Sequence, residues 1–75
     1  MRRLPPKEMQ LVVALARWGA EYAPAADLRA ELGASSAYLS ELISVVRETF
    51  GASAIEMAPG RGYRLSPKVL AAASR

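Results

Sequence analysis

A chain of 75 residues, 52% hydrophobic and with a net charge of +3, holds enough material for one small folded domain and no more. It has neither cysteine nor histidine, which excludes a disulfide framework and the usual zinc ligand sets, and no apolar run approaches the roughly 20 residues needed to cross a bilayer. The N-terminus MRRLPPKEMQLVVALARWGAEYA lacks a signal-peptide core and cleavage site, so the composition predicts a cytoplasmic, non-exported domain, residues 1–75, without metal, cofactor or membrane partner.

Charge placement is more informative than the sum. Residues 1–7 carry Arg2, Arg3 and Lys7 and no acid, and residues 57–75 carry Arg61, Arg64, Lys68 and Arg75 and no acid. All seven acids lie between, where they face Arg17, Arg29 and Arg47. Basic ends around an acidic middle suggest arms that meet a polyanion.

In chain order, PPKEMQLVVALARW predicts a first helix, with Pro6 suited to the first turn. Met9, Val12, Val13 and Ala16 form one apolar stripe, and Leu11, Leu15 and Trp18 form another. A helix apolar on two sides needs cover on both. The core supplies one cover, and either the segment PKVLAAAS or another protomer must supply the second. Leu11, Leu15 and Trp18 are therefore the candidate partner or homodimer surface. Gly19 ends the helix, EYAP is an extended link, and AADLRAEL predicts a second short helix with Leu28 and Leu32 inward. Gly33 supplies a left-handed turn, and Ser35 or Ser36 caps a third helix over residues 36–50 with Leu39, Leu42, Ile43, Val46 and Phe50 on its apolar stripe. After Gly51, SAIEM and GYRL predict two short strands joined by the turn APGR. The tail, residues 66–75, is a candidate helix.

Two helices around a tight glycine turn, followed by a hairpin, make a winged helix-turn-helix: an α+β, mainly α domain with a three-helix core. The segments LPPKEMQLVVALARWGAEY, LRAEL, ISVVRETFG and IEMAPGRGYRL resemble the winged-helix output domain of OmpR-type response regulators over residues 4–65, standing here without a receiver domain. LGASSAYLSELI is similar to the helix-turn-helix of small bacterial and phage regulators. The resemblance implies a transcription regulator whose third helix enters the major groove and whose wing reaches the minor groove. It also implies Tyr63 and Leu65 toward the core, with Arg61 and Arg64 outward. Family members commonly carry Arg or Lys near Ala37, Val45, Glu48 and Thr49, and an Arg where Pro59 stands; none of these five is basic here.

The expected function is sequence-specific binding of double-stranded DNA. Ser36, Tyr38, Ser40, Glu41, Ser44 and Arg47 would approach base edges or nearby phosphates, and Arg61, Arg64, Arg2 and Arg3 would hold the backbone. The alternative is an adaptor whose third helix docks on RNA polymerase or another regulator, since one fold serves both roles. An enzyme is not expected. Without His, Cys or a glycine-rich phosphate loop the chain offers no reacting centre, and Glu41 and Glu48, two turns apart, read as a solvated face.

Overall fold

The computed structural model describes residues 6–73; Arg2 and Arg3, assigned to a backbone-holding arm, and Arg75 lie outside them. Helix α1 (Pro6–Trp18) starts on a proline, whose missing N–H would have had no intrahelical acceptor in the first turn. Glu8 in the first turn and Arg17 in the last each complement the helix dipole. The chain leaves α1 through Gly19, whose N–H donates to the Ala16 carbonyl at 3.1 Å.

The buried residues of α1 are Leu11, Val12, Ala14 and Leu15, with Leu11 and Leu15 fully enclosed. This corrects the assignment of Leu11, Leu15 and Trp18 to a partner or dimer surface. Residues 11, 14, 15 and 18 recur at helical spacing on one side, and that side meets the second helix, the third helix and the hairpin. Trp18 packs half-buried on the same core. The other stripe is the one left at the edge, with Met9 and Val13 each 44% exposed. Beside it the C-terminal segment folds as a further short helix (Pro67–Ala73, α4 below), whose Val69 and Leu70 are partly buried against the core. The C-terminal segment thus covers part of the second stripe of α1 and leaves Met9 and Val13 exposed.

Helix α2 (Ala25–Leu32) buries Leu28 and Leu32. It closes at Gly33, which adopts φ 63° and ψ 38°, a left-handed conformation that costs a side chain-bearing residue about 1–2 kcal/mol. Two residues later Ser35 caps helix α3 (Ser36–Phe50), its Oγ accepting the Tyr38 N–H at 3.1 Å. Leu39, Leu42, Ile43 and Val46 are the buried stripe of α3. Phe50, expected to continue that stripe, is 51% exposed. It is the last helical residue, beyond the edge of the core, and it lines an apolar groove with Met9, Val13 and Val69.

Strands β1 (Ile55–Ala58) and β2 (Gly62–Leu65) form a two-stranded antiparallel sheet in the register Ile55↔Leu65, Glu56↔Arg64, Met57↔Tyr63 and Ala58↔Gly62. The intervening turn closes with the Arg61 N–H on the Ala58 carbonyl at 3.0 Å. Alternation along β2 brings Leu65 into the core and Tyr63 half-buried against it, while Arg61 at the turn is exposed. Ala23, in the link between α1 and α2, exchanges both backbone hydrogen bonds with Tyr63, at 2.7 and 3.0 Å, so the link lies against β2 like a one-residue third strand. Helix α4 (Pro67–Ala73) follows, with the Val69 N–H donating to Ser66 Oγ at 3.3 Å. The described residues therefore form four helices and one small sheet, and no helix among them is long and apolar enough to cross a membrane.

Candidate nucleic-acid interface

With one side of α3 committed to the core, the opposite side is fixed by geometry. Ala37, Ser40, Glu41, Ser44 and Glu48 fall along it at helical spacing and all are exposed, with Ser36 at one edge and Tyr38, 38% exposed, at the other. Five of the predicted site residues, Ser36, Tyr38, Ser40, Glu41 and Ser44, thus share one surface of α3. That surface is small, polar and acidic, with no cation on it.

Arg47, the one basic residue of α3, is tied into the fold instead. Its Nη2 donates to the Ile55 carbonyl at 2.9 Å across the start of β1, and its Nε is buried without a hydrogen-bond partner. Arg47, expected near base edges or nearby phosphates, instead has its guanidinium joining α3 to the hairpin.

Arg64 is likewise engaged. Its Nε donates to Glu56 Oε1 at 2.7 Å, its Nη1 donates to the Ala20 carbonyl at 3.0 Å, and its guanidinium carbon stands 4.5 Å from the centroid of the Tyr22 ring. The pairing follows from the strand register, which sets Glu56 directly opposite Arg64. The hydrogen bond from Arg64 to Glu56 raises the Arg64 pKa above its ordinary value. Arg64 is a strut between the hairpin and the α1–α2 link, so the side chain expected to hold the DNA backbone is already engaged within the protein.

Arg61 is different. It is exposed, its side chain makes no hydrogen bond or ion pair with the described residues, and its guanidinium carbon lies 5.5 Å from the Tyr22 ring centroid. Of the remaining cations, Lys7 donates to the Leu32 carbonyl at 3.0 Å, at the negative end of α2, and Arg17 pairs with Glu31 at 3.3 Å. Arg29 and Lys68 are exposed on α2 and α4.

Tyr22 and Glu56 were not among the residues that sequence reasoning singled out. Glu56 was within reach, because counting back from the APGR turn sets it opposite Arg64. Tyr22 carried no such signal: a single aromatic in a four-residue link has no periodicity, and its neighbours come from the far end of the chain.

Comparison with protein-family models, with curated proteins and with solved structures finds no match to this chain.

Proposed function

We propose that this chain is a winged helix-turn-helix domain that binds double-stranded DNA as a transcription regulator, α3 lying in the major groove and the β1–β2 hairpin serving as the wing. The observation that carries this reading is the exposed polar side of α3 together with a hairpin, following α3 in the chain, whose turn presents Arg61, an arginine without a hydrogen bond or ion pair among the described residues. The element order and the Ala23–Tyr63 bridge, which holds the α1–α2 link against the hairpin, support the winged architecture.

In this mechanism affinity and sequence reading are divided between elements. Phosphate neutralisation supplies most non-specific affinity, and here it comes from Arg61 and from Arg2 and Arg3 in the N-terminal arm. The α3 surface contributes fit and hydrogen bonding. Ser36, Ser40 and Ser44 donate or accept at base edges, and Glu41 accepts from a cytosine amino group, the contact an acidic side chain makes in the major groove. Because a single module of this size makes few contacts, tight binding requires repeated or paired sites on the DNA.

The acidic, cation-free side of α3 also favours a second reading, in which the domain is an adaptor and α3 docks on a basic surface of RNA polymerase or another regulator. Fluorescence anisotropy on mixed-sequence and genomic duplexes across a salt series separates the two. DNA binding predicts that Arg61→Ala weakens the complex and lowers the salt slope by about one unit. The paired change Glu41→Ala/Glu48→Ala should strengthen non-specific binding by removing repulsion. Absence of binding by the wild type at low salt rejects the DNA reading and leaves the adaptor.

A further inference from the structure

We propose that Tyr22 is the positioning residue for Arg61, holding its guanidinium edge toward a phosphate of duplex DNA; the inference rests on the DNA-binding reading above and names a component of that same site. Tyr22 directly precedes Ala23, whose two hydrogen bonds to Tyr63 clamp the α1–α2 link onto β2. The link cannot drift from the hairpin without breaking both bonds, so the backbone that carries Tyr22 is held beside the wing. Around it gather two guanidinium groups, Arg64 at 4.5 Å and Arg61 at 5.5 Å from the ring centroid, lining one shallow depression with Ala20, Glu21 and Tyr22.

The two arginines are not equivalent. Arg64 has its Nε on Glu56 and one Nη on the Ala20 carbonyl, so its charge is largely answered within the protein. It acts as a brace that keeps the ring and the hairpin together. The Arg61 guanidinium has no hydrogen-bonding partner among the described residues and stands beside the Tyr22 ring instead. A guanidinium lying over an aromatic face uses that face and leaves its N–H groups, which project in its plane, for an anion. Phosphate is the anion those N–H groups fit bidentately. On the tip of a hairpin a free arginine would surrender most of its rotamer entropy on binding, whereas one already resting on Tyr22 surrenders less. Glu21 is the acid in this lining; it is exposed and pairs with neither arginine.

The test is a double-mutant cycle read by fluorescence anisotropy on a labelled mixed-sequence duplex at several salt concentrations, using the full chain. Tyr22→Phe keeps the ring and should bind like the wild type. Tyr22→Leu keeps apolar bulk but loses the π face, and should weaken binding about two- to five-fold, the worth of an exposed cation–π contact. Once Arg61 is alanine, the further change Tyr22→Leu should cost nothing, because there is no arginine left to position. Circular dichroism and thermal melts of each variant establish that it is folded; Tyr22→Met replaces Tyr22→Leu should the leucine variant fail to fold. A folded Tyr22→Leu protein that binds as the wild type does, or losses at positions 22 and 61 that simply add, overturns the proposal while leaving the DNA-binding reading in place. A wild type that binds no duplex at low salt overturns both.

Discussion

The carbonyl oxygen of Ala23 occupies the space that a β-carbon on Gly62 would need, and the Cα of Pro24 lies 2.9 Å from the same point. Gly62 also adopts φ 124°, outside the range open to L side chains. The close approach has a structural purpose: it lets Ala23 and Tyr63 exchange their backbone hydrogen bonds and so fastens the α1–α2 link, with Tyr22 on it, to the hairpin. Gly62→Ala must either push the link off β2 or distort the strand, and should cost about 2–4 kcal/mol. Gly60, with φ 77° but open space around it, provides the control; Gly60→Ala should cost only about 1 kcal/mol. Urea unfolding of both variants checks the ordering, and equal losses would show that conformational strain alone, without the Ala23 clash, sets the cost.

Burial of Leu11 and Leu15 predicts that the α1 stripe they share with Trp18 supports folding and not association. Leu15→Ala should lose about 2–5 kcal/mol, most of the stability available to a domain this small. Trp18→Lys, at a half-buried position, should lower the melting temperature as well. Light scattering should record the same mass before and after each folded substitution. A Leu15→Ala protein that kept its melting temperature but fell from dimer to monomer would restore the stripe to an interface.

Local chemistry explains why so much of the fold is legible in the sequence. Pro6, Gly33, Ser35 and Gly51 mark helix ends by what their backbones or side chains do, and Pro59 with Gly60 marks the turn, so α1, α2, α3 and the hairpin all fall near their expected bounds. What periodicity alone leaves open is which of two apolar stripes on α1 faces inward. Met9, Val12, Val13 and Ala16 compete with Leu11, Leu15 and Trp18, and only the packing of α2, α3 and α4 around the helix decides between them. The candidate site divides in the same way. The exposed side of α3 follows from its buried side, so Ser36, Ser40, Glu41 and Ser44 are legible. Where a long side chain sends its guanidinium is legible only in part: Glu56 opposite Arg64 follows from the hairpin register, whereas the Ile55 carbonyl that accepts from Arg47 and the Ala20 carbonyl that accepts from Arg64 are backbone atoms without a sequence signature.

The Arg17–Glu31 pair joins α1 to α2 across the surface, with the arginine side chain 71% exposed. Solvent screening and side-chain entropy leave such a pair worth about 0–1 kcal/mol, so Glu31→Gln should leave the thermal melt nearly unchanged. Ser35→Ala removes the hydrogen bond to the Tyr38 N–H at the start of α3 and should cost about 1 kcal/mol. Comparing the two by denaturant unfolding tests whether the α2–α3 turn depends on its cap more than on the ion pair beside it; a larger loss from Glu31→Gln would reverse that ranking.

The placement of Arg47 joins stability to function. Its Nη2 holds the Ile55 carbonyl at the start of β1, and the side chain is part-buried between α3 and the hairpin. Arg47→Ala removes a hydrogen bond from a charged donor and leaves that carbonyl unsatisfied, which should cost about 1.5–3 kcal/mol of stability. Removing a cation that neutralises a DNA phosphate instead lowers the salt dependence of binding by about one unit. Arg47→Ala should therefore shift the unfolding midpoint strongly while leaving the slope of log affinity against log salt as in the wild type. Arg61→Ala should do the opposite, lowering the slope with little effect on the midpoint. If both substitutions lowered the slope alike, Arg47 would leave Ile55 when DNA binds, and α3 would carry a cation after all.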